Sequence, residues 1–300
     1  MVGQTKQKRS LQALLYLLPA LLGIGTFIIY PLIRSFSMSF YDPDTFNVFF
    51  HVGDGFTLKN YTEVLTDKYF FIALKNTMIY TLTSVPLSII IALIIAVLLN
   101  SKIRFGKFYQ TIYFLPYVTN VIAIGLAFQF IFHSNYGFLN YLLGLIGIDP
   151  VQWLNDPKMT MATLVIFGVW GGLAFKIIVF LAGLQNIDPQ FYQAAKVDGT
   201  SKWRVFTKIT IPLLSPIIAY ITIISVIGAF KTYAQVVALY GVKPGPNGSS
   251  SALTIVYYVY EKFYNEAQYP TAAAASVILF IIILMFTFVQ QYINKKKVHY

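Results

Sequence analysis

The chain has 300 residues, of which 57% are hydrophobic and only 11% charged, which leaves too little polar surface for a soluble domain. It contains no cysteine, which excludes a disulfide framework and a thiolate metal site, and its three histidines, His51, His133 and His299, stand far apart. The net charge of +11 suits nucleic acid or anionic lipid, but its placement along the chain reads as the topology signal of an all-α integral membrane protein.

Residues 1–10 form a tail carrying Lys6, Lys8 and Arg9, followed by an apolar run over 11–33. That run is longer than a signal-peptide core and has no clear small-residue cleavage site, so it is expected to be a signal anchor. Further apolar runs over 71–99, 109–132, 159–184, 213–235 and 271–293 are each long enough to cross the hydrocarbon core. Six transmembrane helices are therefore predicted, with a core domain of five spans over 71–293 and a basic tail over 294–300. Pro19, Pro31, Pro86, Pro116 and Pro216 lie in or near these runs and predict kinks, which leave room for a cavity.

Orientation follows from lysine and arginine, because basic loops stay in the cytoplasm. With the N-terminus inside, the cytoplasmic segments hold thirteen basic residues: Lys6, Lys8, Arg9, Lys102, Arg104, Lys107, Lys196, Lys202, Arg204, Lys208, Lys295, Lys296 and Lys297. The opposite loops hold nine acids, among them Asp54, against six bases. Both termini are expected in the cytoplasm. The outer loop over 35–70 shows no helical period and reads as irregular, 135–155 contains a short apolar stretch suited to an interfacial helix, and 241–251 is turn-forming.

The segment 188–212 is the longest on the cytoplasmic side and reads as two short helices in succession. Asp188 suits an N-cap and Pro189 the first helical position; Gly199 ends the first helix, Thr200 or Ser201 caps the second, and Pro212 stops it. In a soluble protein such a pair would suggest a DNA reader, which flanking membrane spans make untenable.

Catalytic machinery is missing from the sequence. Gly106-Lys107 lacks the earlier glycine and the hydroxyl of a phosphate loop, and no paired carboxylates, Ser/His/Asp set or His-Glu-x-x-His run lies in the spans. An ion-coupled carrier would need a carboxylate near mid-membrane, whereas every acid falls in a loop. The polar groups that do occur in the spans are Lys75, expected to snorkel, Lys176, deep in WGGLAFKIIVF, and Asn120 and Gln129. Ser225, Gly228 and Thr232 share one helical face, as do Gly172 and Phe175, a pattern that suits either a cavity or close helix packing.

The stretch QAAKVDGTSKWRVFTKITIP, over 193–212, resembles the signature loop of bacterial ATP-binding cassette importer permeases, Glu-Ala-Ala, three residues, Gly, then Ile-x-Leu-Pro. The likeness continues in LNYLLGLIGI with Trp153-Leu154, in LAGLQNID and in AFKTYAQVVALY with Gly245-Pro246, which are similar to the sugar (maltose and multiple-sugar) branch, and it covers about 71–293. The resemblance implies that 188–212 is a cytoplasmic coupling helix between spans 4 and 5, with Gln193, Ala194, Ala195, Asp198 and Gly199 meeting a partner ATPase subunit. That partner would bind ATP and Mg, so the chain itself is expected to be no enzyme and to hold no cofactor or metal. The family glutamate is Gln193 here, which removes a charge from the expected dock. Trp170, Gly172, Phe175, Ser225, Gly228 and Thr232, with Asn120 and Gln129, are the candidate substrate pathway. An extracellular solute-binding protein and a second related permease are the further partners implied. The implied cargo is a di- or oligosaccharide, with glycerol 3-phosphate or another polyol as alternatives and an ion-coupled carrier further behind.

Overall fold

The computed structural model describes residues 6–47, 53, 55–101, 104 and 106–297. His51, Asp54, Lys102 and His299 lie outside these, as do the beginning of the N-terminal tail and residues 298–300 of the basic tail. Among the described residues every regular element is a helix, and there is no β-strand. In chain order the helices are α1 (Lys6–Ile24), α2 (Tyr30–Met38), α3 (Lys59–Thr66), α4 (Lys68–Asn100), α5 (Gly106–Val118), α6 (Val121–Ile131), α7 (Phe138–Leu145) and α8 (Thr160–Gln185). There follow α9 (Pro189–Val197), α10 (Lys202–Val205), α11 (Ile211–Leu213), α12 (Ser215–Phe230), α13 (Ala234–Tyr240), α14 (Ile255–Tyr260) and α15 (Tyr269–Lys297). Wider π turns occupy Gly25–Ile29, Phe206–Thr210 and Glu261–Asn265.

The chain divides into two compact units. The first comprises Met1–Asp67 and Val259–Leu279. Its apolar helix Leu14–Met38 passes through the first π turn, and no part of its most apolar window is buried. The loop read as irregular over 35–70 contains α3, a helix too short to show a period. Its position is fixed by the buried Asn60, whose amide donates to the carbonyls of Ser39 at 2.9 Å and Tyr41 at 2.8 Å. Lys262 pairs with Asp67 at 3.4 Å and with Glu266 at 2.9 Å, and the Thr271 hydroxyl donates to Glu63 at 3.2 Å.

The second unit, Lys68–Tyr258 and Phe280–Tyr300, is built on α4 and α8. One face of α4 carries Ala73, Thr77, Tyr80, Ser84, Ser88, Ala92 and Ala96, all buried and spaced three or four residues apart. Small side chains at this spacing admit a neighbouring helix closely, which matters in lipid, where apolar surface alone gives helices no reason to associate. Ala92 and Ala96 accordingly join Ile177, Phe180 and Leu184 of α8 and Ile221 of α12 in one hydrophobic core. Polar anchors hold the connections: Asn76 donates to the carbonyls of Ser250 and Leu253, both at 3.0 Å, and the Thr77 hydroxyl accepts from the Ile255 N–H at 3.0 Å. In the loop that holds α7, the Asn140 amide donates to the Ser134 and Val151 carbonyls, and its oxygen accepts from Trp153 Nε1 at 2.8 Å.

Among the described residues, four helices are long and apolar enough to cross a membrane, or up to six if each of two bent pairs is one span. The run expected as one span over 109–132 is broken at Thr119–Asn120, where its two helices meet at 105°. Asn120 causes this locally: its backbone is extended, φ −62 and ψ 129, and its side chain accepts from the Ile122 N–H at 2.8 Å, which starts a new helix. The run over 213–235 differs from expectation too. It bends by 66° between Leu213 and Ser215, and α12 ends at Phe230, so 231–235 belong to a separate segment leading into α13. Pro212 does not stop its helix. It sits in the first turn of α11, where a missing N–H is tolerated, and the break falls at Leu214.

Candidate functional site

Within the second unit a cavity of about 490 Å³ lies among α4, α5, α6, α8 and α12. From α8 it is lined by Phe167, Gly168, Trp170, Gly171, Gly172, Phe175 and Lys176. Opposite stand Ile224, Ser225, Gly228 and Ala229 of α12, with Thr232 and Gln235 beyond its end. Tyr80, Ser84 and Ser88 of α4 and Pro116, Tyr117 and Thr119 at the end of α5 complete the wall. The Tyr117 and Phe175 rings stack, with centroids 6.0 Å apart and planes 21° from parallel, and both residues line the space. Trp170 packs its ring against Phe128 at 4.9 Å.

Three lining glycines have distinct roles. A Cβ on Gly168 would stand 2.0 Å from the Tyr80 hydroxyl, so the buried tyrosine needs this gap to lie across α8. At Gly172 a Cβ would stand 2.8 Å from Lys176 Nζ, and the bare backbone lets the ammonium fold back and donate to the Gly172 carbonyl at 3.1 Å. Gly228 has nothing within 4 Å of a Cβ position, so it opens directly into free space.

Trp170, Gly172, Phe175, Ser225, Gly228 and Thr232 thus come together on one cavity. Asn120 and Gln129 do not join them. Asn120 is spent on capping α6, while the Gln129 amide donates to the carbonyls of Ala238 at 2.9 Å and Leu239 at 3.2 Å, satisfying the end of α13. The residues that sequence reasoning missed are Tyr80, Ser84 and Ser88, together with Tyr117 and Gln235. The first three recur every fourth residue in an otherwise apolar run, a polar face that periodicity alone would have exposed. Lys75 is exposed two turns into α4. Among the described residues no cluster of His, Cys, Asp or Glu could hold a metal ion.

The segment 188–212 has well-defined ends. Asp188 Oδ1 accepts from the Gln190 N–H at 2.9 Å. Gly199 takes φ +66, and the paired bonds Gly199 N–H to Lys196 carbonyl and Thr200 N–H to Ala195 carbonyl close α9 in a Schellman motif. Ser201, rather than Thr200, caps α10, accepting from the Arg204 N–H at 3.4 Å. The hydroxyls of Tyr192 and Thr210 meet at 3.2 Å and tie α9 to the following π turn. Gln193, Ala194, Asp198 and Gly199 are exposed on this unit, as are Val197 and Trp203, whereas Ala195 is buried. Ala195 therefore supports α9 from behind, and its exposed neighbours form the surface.

Comparison with known proteins extends this picture over the whole chain. Residues 88–299 match the family model described as binding-protein-dependent transport system inner membrane component. The chain is similar to the lactose transport system permease protein of Rhizobium radiobacter, with 33% identity over 94% of each chain. It is similar to the arabinooligosaccharides transport system permease protein of Bacillus subtilis (strain 168), with 35% identity over 90% of this chain and 84% of the relative. It also matches the trehalose/maltose transport system permease protein of Thermococcus litoralis, with 30% identity over 96% and 95%. Among solved structures, a bacterial alginate ABC transporter in complex with alginate pentasaccharide-bound periplasmic protein shares the fold, with a TM-score of 0.80, 24% identity and 96% of each chain covered.

Proposed function

The chain belongs to the family of inner membrane components of binding-protein-dependent transport systems, and on that premise we propose that it is the permease subunit of an ATP-binding cassette importer for a di- or oligosaccharide. The observation that carries the cargo class is the cavity. Its volume of about 490 Å³ falls in the usual range of ligand pockets, roughly 300–1,000 Å³. Its wall sets stacked aromatic rings beside the hydroxyls of Tyr80, Ser84, Ser88, Ser225 and Thr232. Sugars need both kinds of group: flat π faces for the ring C–H surfaces and hydrogen-bonding groups for the hydroxyls. Relatives named for lactose, arabinooligosaccharides and trehalose/maltose support the same class.

In this reading each bent pair counts as one span, which gives six, and the basic segments put both termini and 188–212 in the cytoplasm. ATP and Mg are bound by partner ATPase subunits, whose closure pushes on α9 and α10 and is passed to α8 and α12, the two helices that join this segment to the cavity wall. An extracellular solute-binding protein delivers the sugar, and a second related permease completes the pore in the surrounding lipid. Proteoliposomes holding the assembly should accumulate labelled oligosaccharide only with ATP inside and the binding protein outside; accumulation driven by an ion gradient without ATP would reject the reading.

The exposed Gln193 gives a test of the dock and of the orientation together. A neutral amide lacks the charge-assisted part of a hydrogen bond, so Gln193→Glu should steepen the salt dependence of ATPase-subunit binding to inside-out vesicles. Identical slopes for the two proteins would sink the coupling role of Gln193, and binding to right-side-out vesicles would reverse the topology.

A further inference from the structure

Lys176 is the only group with a formal charge among the described residues that line the cavity. It sits in the span α8 with a relative exposure of 8%, a setting in which lipid and low dielectric penalise a cation. Such a lysine is ordinarily held by an acid or by several acceptors. Here its ammonium has three donors, and it donates to the Gly172 carbonyl one turn back, an acceptor the helix backbone already uses. None of the ion pairs among the described residues includes it. The elements around it offer no countercharge: α4 presents Tyr80, Ser84 and Ser88, α5 presents Tyr117, and α12 presents Ser225, all neutral. Among the described residues no aspartate or glutamate lines the cavity.

The wall also keeps the ammonium close to the ligand space. Because Gly172 has no Cβ, Nζ lies back along α8 in the place that a side chain there would take. Phe175, its neighbour in the chain, stacks with Tyr117 on the same cavity, so a cation and an aromatic platform stand side by side. A ligand that lays a sugar ring on the platform would bring a substituent to the ammonium.

We propose that the saccharide received by this cavity carries an anionic group, a carboxylate or a phosphate monoester, that pairs with Lys176. The proposal rests on the sugar-import reading and narrows it from sugars in general to acidic ones. A neutral sugar would leave the buried ammonium without a counterion, whereas an anionic one supplies the charge the protein lacks and adds the attraction of opposite charges to the hydrogen bond that a hydroxyl would also accept.

The test uses the full assembly in proteoliposomes with matched labelled probes. Cellobiose is paired with cellobiouronic acid and trehalose with trehalose 6-phosphate, alongside neutral, uronate-containing and phosphorylated trisaccharides. The anionic member of at least one pair should enter about tenfold or more faster than its neutral partner. Preference for the uronates assigns a carboxylate, and preference for the phosphorylated sugars assigns a phosphate. That preference should vanish in Lys176→Gln and return in Lys176→Arg. Equal or better uptake of the neutral member in every pair overturns the proposal while sugar import stands, and this comparison needs only the wild type. A preference that persists in Lys176→Gln also overturns it. Entry of no saccharide of either kind defeats the import reading and the proposal together.

Discussion

Replacing Gly228 by tryptophan should abolish uptake, by on the order of a hundredfold or more, while leaving the assembled transporter intact. The two halves of this expectation rest on separate features of one position. Nothing lies within 4 Å of a Cβ built on Gly228, so the backbone of α12 can accept a side chain without moving. The space in front of it is the cavity itself, and an indole there would stand among the lining side chains Ser225 and Thr232. A ligand held by those hydroxyls would overlap it. A hundredfold loss needs only about 2.8 kcal/mol of lost affinity, which a buried steric overlap readily exceeds. Initial uptake rates measured beside the melting midpoint of the purified assembly separate the effects. Normal uptake would remove α12 from the pathway, and a collapsed midpoint would show that Gly228 serves packing instead.

Gly125→Ala should act in the opposite way, on stability before transport. Gly125 of α6 faces Ala238 of α13 so closely that a Cβ would stand 2.4 Å from the Ala238 Cβ and 2.7 Å from its carbonyl oxygen. Backbone cannot rotate aside, so the helices must part, and the added methyl is expected to cost about 1–3 kcal/mol. The same separation would stretch the bonds from Gln129 to the Ala238 and Leu239 carbonyls and displace Gln235 at the cavity. Gly183→Ala provides the comparison. Its nearest neighbours are the Ile217 Cδ1 at 2.2 Å and Leu214 Cδ2 at 3.0 Å, ends of side chains that can change rotamer. Gly125→Ala should therefore lower the thermal midpoint by several degrees, about 2–4 °C for each kcal/mol, and more than Gly183→Ala does. Equal shifts would mean that α6 and α13 separate easily.

The contrast between these glycines also shows what the sequence could and could not reveal. The ends of 188–212 were legible because caps are local: Asp188, Pro189 and Gly199 each act on backbone groups a few residues away. The shared face of Ser225, Gly228 and Thr232 was legible for a similar reason, since helical periodicity fixes direction. Which of two meanings that face had, cavity or close packing, depended on what stood opposite. Gly168 and Gly228 are alike in sequence, yet one receives the Tyr80 hydroxyl and the other faces open space. The break in 109–132 was hidden because hydropathy averages over a window, and a single Asn120 barely changes that average while redirecting the chain by 105°. Asn120 and Gln129 lie off the cavity for a related reason: a polar residue in an apolar run can equally well satisfy backbone at a break, and both do so here.

The π turn at Phe206–Thr210 has a consequence for rotational phase. A π turn accommodates one residue more than the α-helical pattern around it, and each residue of an α-helix advances the azimuth by about 100°. The extra residue is taken up inside the widened turn, so the helical residues before and after it keep nearly the bearing of an uninterrupted helix one residue shorter. Straightening the turn without a deletion would instead swing everything on its N-terminal side by about that angle, and Trp203, 73% exposed and in ring contact with Phe206, would point along a different bearing. The widened turn thus sets the compass direction of the arm that carries α9 and α10 relative to α11, independently of the arm's length and composition.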